Sequence, residues 1–315
     1  MPKSVADISV VICTHNRAES LRETLACLAR ADKTGLRCEV VVVDNGSTDH
    51  TAIVAHETIP DLPIHYLIEP LVGKGHALNR ALDDAPLGKI VAVLDDDMIP
   101  QPRWLLGVAA ICQRWPDRDL FTGHSYVEWP QDEIPEWARF PQIHGWAFSV
   151  KNSSVGDREL GKGRWFSGNN FWFRSRVLTG GRRFPACWLT EPEFQLELLE
   201  AGYNGISAPD AVVGRRIQPE LLRLDIIQER GLRFGRETAE ARLRPYRDSV
   251  HQAQQFKQHP LLARGFLCVA PAKVDSGSLR VTIQSCPGLA NILQTSSRHG
   301  NCLLSGAFKN CITYA

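Results

Sequence analysis

The chain has 315 residues, of which 43% are hydrophobic and 23% are charged, as in an ordinary folded protein. Its formal net charge of +1 argues against a nucleic-acid partner, because such partners attract strongly basic surfaces. No apolar run is long enough to predict a membrane-spanning helix, and no signal peptide is predicted at the N-terminus. The nine cysteines include no CxxC pair, which favours reduced thiols and a cytoplasmic location.

The first hundred residues alternate between predicted strands and predicted helices. Short segments of β-branched and other apolar residues predict strands at 8–13, 39–43, 64–68 and 90–94. A leucine-bearing amphipathic segment follows the first strand, and another helix is predicted to begin at Gly73-Lys74-Gly75. This alternation is typical of an α/β fold with a mostly parallel central sheet and helices on both faces.

Polar residues come directly after three of the predicted strands. They are Thr14, Asn16 and Arg17 after the first strand, Asp44 after the second, and Asp95, Asp96 and Asp97 after the fourth. Because ligands of parallel α/β sheets bind at the carboxyl ends of the strands, we expect these side chains to share one site. Three adjacent carboxylates repel one another unless a cation lies against them, and carboxylate oxygens suit Mg²⁺ or Mn²⁺. An acidic turn without a ligand is the alternative interpretation.

Two common phosphate-binding motifs are absent from the sequence. There is no GxxxxGK[ST] loop, and no GxGxxG segment follows the first strand, which disfavours a P-loop NTPase and a dinucleotide oxidoreductase. Gly73-Lys74-Gly75 is a weak anion-binding signal, since backbone N–H groups and an ammonium at a helix start would suit a phosphate. A plain turn accounts for the same three residues.

Residues 129–188 contain several tryptophans between prolines, glycines and charged groups. Aromatic rings offer flat apolar faces to sugars, although packing in the core is their commoner role. We therefore treat Trp165 and Trp172 as candidates for an acceptor-binding side, with core packing as the alternative.

Two further segments carry polar residues at predicted element boundaries. Gly168-Asn169-Asn170 is predicted to be a turn that enters a strand. Glu191-Pro192-Glu193 is predicted to begin a helix that Gly202 ends, and acids in a first helical turn also complement the helix dipole. Residues 214–264 are rich in arginine and helical in pattern, which indicates either a solvated helix face or contact with anionic lipid headgroups.

Taken in chain order, these segments resemble the inverting glycosyltransferases of family 2, which have the GT-A fold. Segments 10–17 and 41–49 resemble the nucleotide loop and the base-recognition turn, and 73–79 resembles the helix start near the donor. Residues 94–97 match the DxD metal motif. Residues 168–170 with Arg174, and residues 198–203, match the acceptor side and the end of its helix. Their order and spacing make the resemblance specific over residues 6–220.

The resemblance implies a division of the chain. Residues 1–213 would form a GT-A domain, with a Rossmann-like nucleotide-binding half over 1–100 and an acceptor and catalytic half over 101–213. Largely beyond the resemblance, the arginine-rich composition of residues 214–264 predicts a basic helical extension, and contact with the inner face of a membrane is the alternative to a solvated helix face. Residues 265–315 would be an irregular tail, for which the sequence predicts no structure.

The resemblance also implies roles for individual residues. Asp44 would accept a hydrogen bond from the base, Lys74 would lie near the diphosphate, and Asp95 and Asp97 would hold Mn²⁺ or Mg²⁺. The nucleotide-binding set would be Thr14, Asn16, Arg17, Asp44, Lys74, Asp95 and Asp96. The sugars would be contacted by Gly168, Asn169, Asn170 and Trp165. Glu191, or the nearby Glu193, would take the proton from the acceptor hydroxyl.

The implied activity is metal-dependent, inverting transfer of a sugar from a UDP- or GDP-linked donor to a hydroxyl of a glycan, a lipid-linked molecule or a small molecule. The sequence departs from the family at two positions. Thr190-Glu191 replaces the usual acidic pair, and Arg215 stands where relatives often place a metal-binding histidine. Arginine does not ligate metals but binds phosphate well. A catalytically impaired nucleotide-sugar binding protein is therefore the alternative function.

Overall fold

The computed structural model describes residues 6–57, 59–150, 156–160, 168–187, 189–236 and 239. Trp165, residues 240–264 of the predicted extension and the predicted tail over 265–315 lie outside the described residues. The chain divides into two compact units. In the described part, one unit comprises residues 6–134 and 143–219, and the other comprises 135–142 and the residues from 220 onward.

Strands and helices alternate over the first hundred residues, as predicted. The strands are β1 (Ile8–Thr14), β2 (Cys38–Asp44), β3 (Ile64–Ile68) and β4 (Ile90–Asp95). The helices between them are α1 (Ala18–Arg30), α2 (Thr51–Ala55) and α3 (Lys74–Asp84). All four predicted strands and the predicted start of α3 are confirmed.

Residues 96–216 add five strands and three α-helices within the described part of the chain. The strands are β5 (Met98–Pro100), β6 (Leu120–Glu128), β7 (Arg158–Glu159), β8 (Asn170–Arg174) and β9 (Gly205–Arg216). The helices are α4 (Trp104–Arg114), α5 (Pro141–Phe148) and α6 (Thr190–Glu200). β9 continues to Arg216, past the predicted domain end at residue 213, and residues 224–236 form a helix in the second unit. None of the described helices has the length and hydrophobicity needed to span a bilayer.

The strands form one sheet in the order β3-β2-β1-β4-β8-β6-β9-β5, with β7 paired to β9. The first four strands pair in parallel. β8 is antiparallel to β4 and β6, β9 is parallel to β6, and β5 and β7 are antiparallel to β9. The predicted α/β fold is confirmed, with a sheet that is parallel over the nucleotide-type half and mixed beyond it.

Two hydrophobic cores cover the two faces of the sheet. Alternate residues of β2 point to opposite sides, so Val40 and Val42 belong to one core and Val41 and Val43 to the other. The first core is closed by α1, α2 and α4, and the second by α3 and α6. Strands covered on both faces explain the continuous apolar runs in the sequence.

The tryptophan at position 172 belongs to the core. Trp172 is fully buried on β8 and stacks on Phe121 with ring centroids 5.9 Å apart. The interpretation of this residue as part of an acceptor-binding side is therefore wrong. An aromatic side chain on a central strand is covered by the helices that pack on the sheet, and it is unavailable to a ligand.

Strand register brings the predicted site residues together at one edge of the sheet. Thr14 pairs with Asp44 across β1 and β2, and Cys13 pairs with Asp95 across β1 and β4. β9 returns antiparallel to β5, which places Arg215 opposite Met98, directly after the three aspartates. The polar residues at 14–17, 44, 95–97 and 215 thus share one rim, which we call the polar rim.

Candidate active site

Asp44 is fixed at the end of β2 by two hydrogen bonds. Its Oδ1 accepts from the backbone N–H of Ser47 at 2.7 Å, and its Oδ2 accepts from the Tyr66 hydroxyl at 2.7 Å. Burial and then the hydrogen bond to Asp44 raise the pKa of Tyr66, so its phenol stays protonated as a donor. The Asp44 carboxylate is therefore held in one orientation at the polar rim.

Two asparagines connect the loops that follow β1, β2 and β3. Asn16 has a left-handed backbone (φ 53°), and its Oδ1 accepts from the Thr48 N–H at 2.7 Å. The buried Asn45 donates to the carbonyls of Glu69 and Leu71, and its Oδ1 accepts from the Gly73 N–H at 2.7 Å. Asn45 thus fixes the entry to α3. Sequence reasoning missed this role, for which the only signal was its place in a polar turn.

Asp96 is a buried member of the polar rim and is bound to the loop after β1. It accepts hydrogen bonds from the Thr14 hydroxyl at 2.8 Å and from Arg17 Nη1 at 3.1 Å. Its carbonyl accepts from the hydroxyls of Ser20 and Thr24, each at 2.9 Å. Burial raises the pKa of Asp96 to about 6, with Arg17 acting in the opposite direction.

Arg215 joins Asp97 to Asp95. Its Nη2 lies 2.9 Å from Asp97 Oδ2, and its Nη1 lies 3.6 Å from Asp95 Oδ2. Arg17 Nη1 approaches Asp97 Oδ2 at 3.4 Å from the other side. Asp97 Oδ1 is buried and has no hydrogen-bond partner among the described residues. The two carboxylates predicted to hold a metal therefore face the same place, with a guanidinium between them.

Lys74, the first residue of α3, joins two carboxylates from distant parts of the chain. Its ammonium forms ion pairs with Asp95 at the end of β4 and with Glu191 in the first turn of α6. Burial acts to raise the pKa of Asp95, but Lys74 and then Arg215 hold it below its ordinary value. Burial raises the pKa of Glu191, with Lys74 acting in the opposite direction.

Glu191 is packed between Lys74 and the backbone of Gly168. A Cβ at position 168 would lie 2.7 Å from Cδ and Oε1 of Glu191, so only glycine fits there. Glu193 is also buried in the first turn of α6. Both candidate bases thus lie in the first turn of α6, and Glu191 is joined to the polar rim through Lys74, which also pairs with Asp95.

The two asparagines after Gly168 bond to the fold. The Asn169 amide donates to the Ser149 carbonyl at 2.7 Å. Asn170 donates to the carbonyls of His124 and Ala211 and accepts from Trp104 Nε1, each at 3.0 Å. The side chain of Asn170 is therefore bonded at both its oxygen and its nitrogen within the sheet, and its contact with a sugar stays a prediction.

The donor set at the polar rim fits a hard divalent cation. Among the described residues, no group of three or more histidine, cysteine, aspartate or glutamate side chains is arranged as a metal cage. Mg²⁺-type sites are commonly built instead from one or two carboxylates, with water and phosphate completing the coordination. Asp95, and Asp97 with its unpartnered Oδ1, supply such a pair.

Comparison with known proteins assigns the family. The chain is 38% identical over 99 residues to chondroitin synthase from Escherichia coli. It is 35% identical over 133 residues to validoxylamine A glucosyltransferase from Streptomyces hygroscopicus subsp. jinggangensis. The matches cover 31% and 41% of this chain, but only 14% and 31% of these relatives. The chain thus spans less than a third of the length of either relative.

A solved structure shows the same architecture. The mannosyltransferase PcManGT from Pyrobaculum calidifontis, in complex with GDP-Man and Mn²⁺, matches with a TM-score of 0.50 and 26% identity. The match covers 69% of this chain and 59% of that one, which confirms the predicted GT-A architecture. The family model named glycosyl transferase family 2 matches residues 9–178. Because it covers more than half of the 315 residues, the chain belongs to glycosyl transferase family 2.

Proposed function

We propose that this protein transfers a sugar from a UDP- or GDP-linked donor to an acceptor hydroxyl, with inversion at the anomeric carbon. The observation that carries the proposal is the convergence of Arg17, Lys74 and Arg215 on Asp95 and Asp97 at the carboxyl ends of parallel strands. Fixed cations at such an edge suit a diphosphate. The mannosyltransferase with GDP-Man and Mn²⁺ supports a nucleotide-sugar donor.

Asp44 is the group proposed to recognise the base. A carboxylate accepts hydrogen bonds and donates none, so it selects a base whose ring edge presents an N–H. Uracil and guanine present one, whereas cytosine and adenine present an acceptor nitrogen at that position. Ser47 and Tyr66 fix the carboxylate, so it is oriented before the donor arrives.

The leaving diphosphate gains negative charge as its bond to the sugar breaks. Lys74, Arg17 and Arg215 lie where they stabilise that charge, and such preorganised charges are a principal source of catalysis. A divalent cation held by Asp95 and Asp97, Mn²⁺ or Mg²⁺, would when bound supply further neutralisation of the diphosphate.

Glu191 is the proposed general base. The acceptor oxygen forms a bond to the anomeric carbon, the bond from that carbon to the diphosphate oxygen breaks, and its electron pair leaves with the diphosphate. The hydroxyl proton passes to the carboxylate of Glu191. Burial raises the pKa of this carboxyl, which makes it a better proton acceptor. Glu193, two residues further along the same helical turn, is the second candidate.

The acceptor is proposed to be a hydroxyl of a glycan, a lipid-linked molecule or a small molecule. We place the protein in the cytoplasm, with peripheral contact at the inner face of the membrane through the basic residues of 214–264. Arg233 and Arg236 are exposed on the helix over 224–236, where Arg233 also pairs with Glu229.

A nucleotide-sugar binding protein without turnover is the second candidate function. It is favoured by the ion pair that engages Glu191 and by Arg215, which stands where relatives often place a metal-binding histidine. Donor hydrolysis distinguishes the enzyme from the binding protein. UDP- and GDP-sugars are incubated with the protein in the presence of Mn²⁺ or of EDTA, and the released nucleoside diphosphate is measured. The enzyme hypothesis predicts slow release that falls about 100-fold or more in Glu191→Gln, the usual cost of losing a general base. Donor binding without release would support the second candidate.

A further inference from the structure

The start of α3 packs between the end of β2 and the start of α6. The N–H of Gly73 is bound by Asn45, which fixes the helix start to the end of β2. A Cβ at Gly75 would lie 2.5 Å from the Pro185 carbonyl oxygen and 2.9 Å from Thr190 Oγ1, so α3 packs directly against the segment that leads into α6. The backbone on either side of Lys74 is therefore held by Asn45 and by the segment before α6, whereas the Lys74 side chain is partly exposed.

The two carboxylates that Lys74 binds differ in what else neutralises them. Asp95 has a second cation, since Arg215 Nη1 lies 3.6 Å from its Oδ2. In the part of the chain that the structure describes, Lys74 is the only cation within ion-pair distance of Glu191. The Lys74 side chain is 33% exposed, whereas that of Glu191 is 7% exposed. The lysine is accessible to a ligand, and its glutamate partner is largely covered.

We propose that Lys74 masks Glu191 in the donor-free protein and that the donor diphosphate draws the ammonium away, which releases the carboxylate to act on the acceptor. The inference rests on the proposed nucleotide site. A diphosphate carries more negative charge than a carboxylate and presents several acceptor oxygens, so it competes well for an ammonium. When Lys74 moves, Asp95 keeps its ion pair with Arg215. The movement therefore mainly removes the ion pair of Glu191.

The release has a direct consequence for the order of events. Once Lys74 has turned to the diphosphate, Glu191 is a buried carboxylate with no other cation within ion-pair distance among the described residues, and burial favours proton uptake. The base becomes strongest at the moment when the donor is in place. Lys74 is a positioning residue for the base and, in the bound state, a binding residue for the leaving group.

Calorimetric titration with UDP and GDP tests this competition without knowledge of the acceptor. The proteins are wild type, Glu191→Gln, Lys74→Gln and the double variant. If Glu191 competes with the diphosphate for Lys74, Glu191→Gln tightens nucleotide binding by about threefold to tenfold, since the lysine no longer has to leave a partner. Lys74→Gln weakens nucleotide binding. In the double variant, Glu191→Gln brings no gain in nucleotide affinity over Lys74→Gln alone.

Glu193→Gln is the matched variant, because it removes a buried carboxylate from the same helical turn and retains both Lys74 and Glu191. A gain in Glu191→Gln that persists without Lys74, or that Glu193→Gln equals, would show a general charge effect and overturn the proposal. Unchanged or weaker binding in folded Glu191→Gln would also overturn it. Glu191→Ala removes the same charge and replaces Glu191→Gln if that variant does not fold. If Lys74→Gln weakens nucleotide binding but Glu191→Gln does not tighten it, the nucleotide site is supported and the masking of Glu191 is rejected. If no nucleoside diphosphate binds to any variant, both proposals are rejected.

Discussion

Arg215→Met is the substitution whose effect on stability follows most directly from the structure. The Arg215 side chain is 6% exposed and its partner Asp97 is 2% exposed, so the variant leaves a buried carboxylate with one cation fewer. Breaking a buried ion pair from one side costs about 3–5 kcal/mol. Arg17 still approaches Asp97 at 3.4 Å, but it is 51% exposed and compensates only in part. We therefore expect the free energy of unfolding to fall by about 3 kcal/mol. Methionine is the chosen replacement because it keeps an apolar stem similar to that of arginine.

Urea and thermal denaturation measure this loss. For a domain of this size, about 3 kcal/mol corresponds to a fall in Tm of about 6–12 °C. Arg183→Met is the control, because Arg183 and its partner Asp83 are 40% and 50% exposed and a surface pair contributes about 0–1 kcal/mol. Equal losses in the two variants would refute the assignment of Arg215 as the buried counter-charge of the aspartates.

Three further predictions concern the site. Gly168→Ala places a Cβ 2.7 Å from Glu191 Oε1, so we expect a stability loss of about 1–3 kcal/mol and slower donor hydrolysis. Tyr66→Phe removes the hydrogen bond that orients Asp44, and nucleoside diphosphate affinity should fall about threefold to tenfold in calorimetry. Burial raises the pKa of Asp96 from 3.8 to about 6, so the folded state binds this proton more tightly and the contribution of Asp96 to the free energy of unfolding falls as pH rises from about 4 to about 6. Asp96→Asn should remove up to about 3 kcal/mol of this pH dependence in urea titrations.

Each of these has a contradicting result. Gly235→Ala is the control for the glycine variant, since no described residue lies within 4 Å of a Cβ there, and an equal loss of stability in both would exclude a clash with Glu191. Tyr66→Phe with unchanged affinity would mean that Ser47 alone orients Asp44. If wild type and Asp96→Asn showed the same slope of stability against pH, other carboxyl groups would carry the dependence.

The parallel half of the fold was predictable because its signals are local. Residues 8–13, 39–43 and 90–94 are β-branched runs that end in polar turns, and β1, β2 and β4 form there. In the mixed half, the turn into β8 and the start of α6 were predicted. The strands β6 and β9 were not, since they carry glycine and polar residues within their length and are defined by their pairing with other strands. Such non-local pairing is invisible to periodicity.

The composition of the site was predictable, whereas its contacts were not. Asp95, Asp97 and Lys74 follow from their positions at strand and helix ends. The ion pair between Arg215 and Asp97 joins residues 118 positions apart, and only the register of β9 against β5 reveals it. Asn170 shows the opposite case, because a polar residue in a motif turned out to bond within the sheet.

The central claim is that the polar rim binds a nucleoside diphosphate through the base and the phosphates together. Calorimetric titration of UDP, GDP, CDP and ADP in Mn²⁺ tests it most directly, with wild type and Asp44→Asn compared. UDP or GDP should bind at least about tenfold more tightly than CDP and ADP, and Asp44→Asn should remove that preference. Equal binding of all four, or none, would contradict the claim.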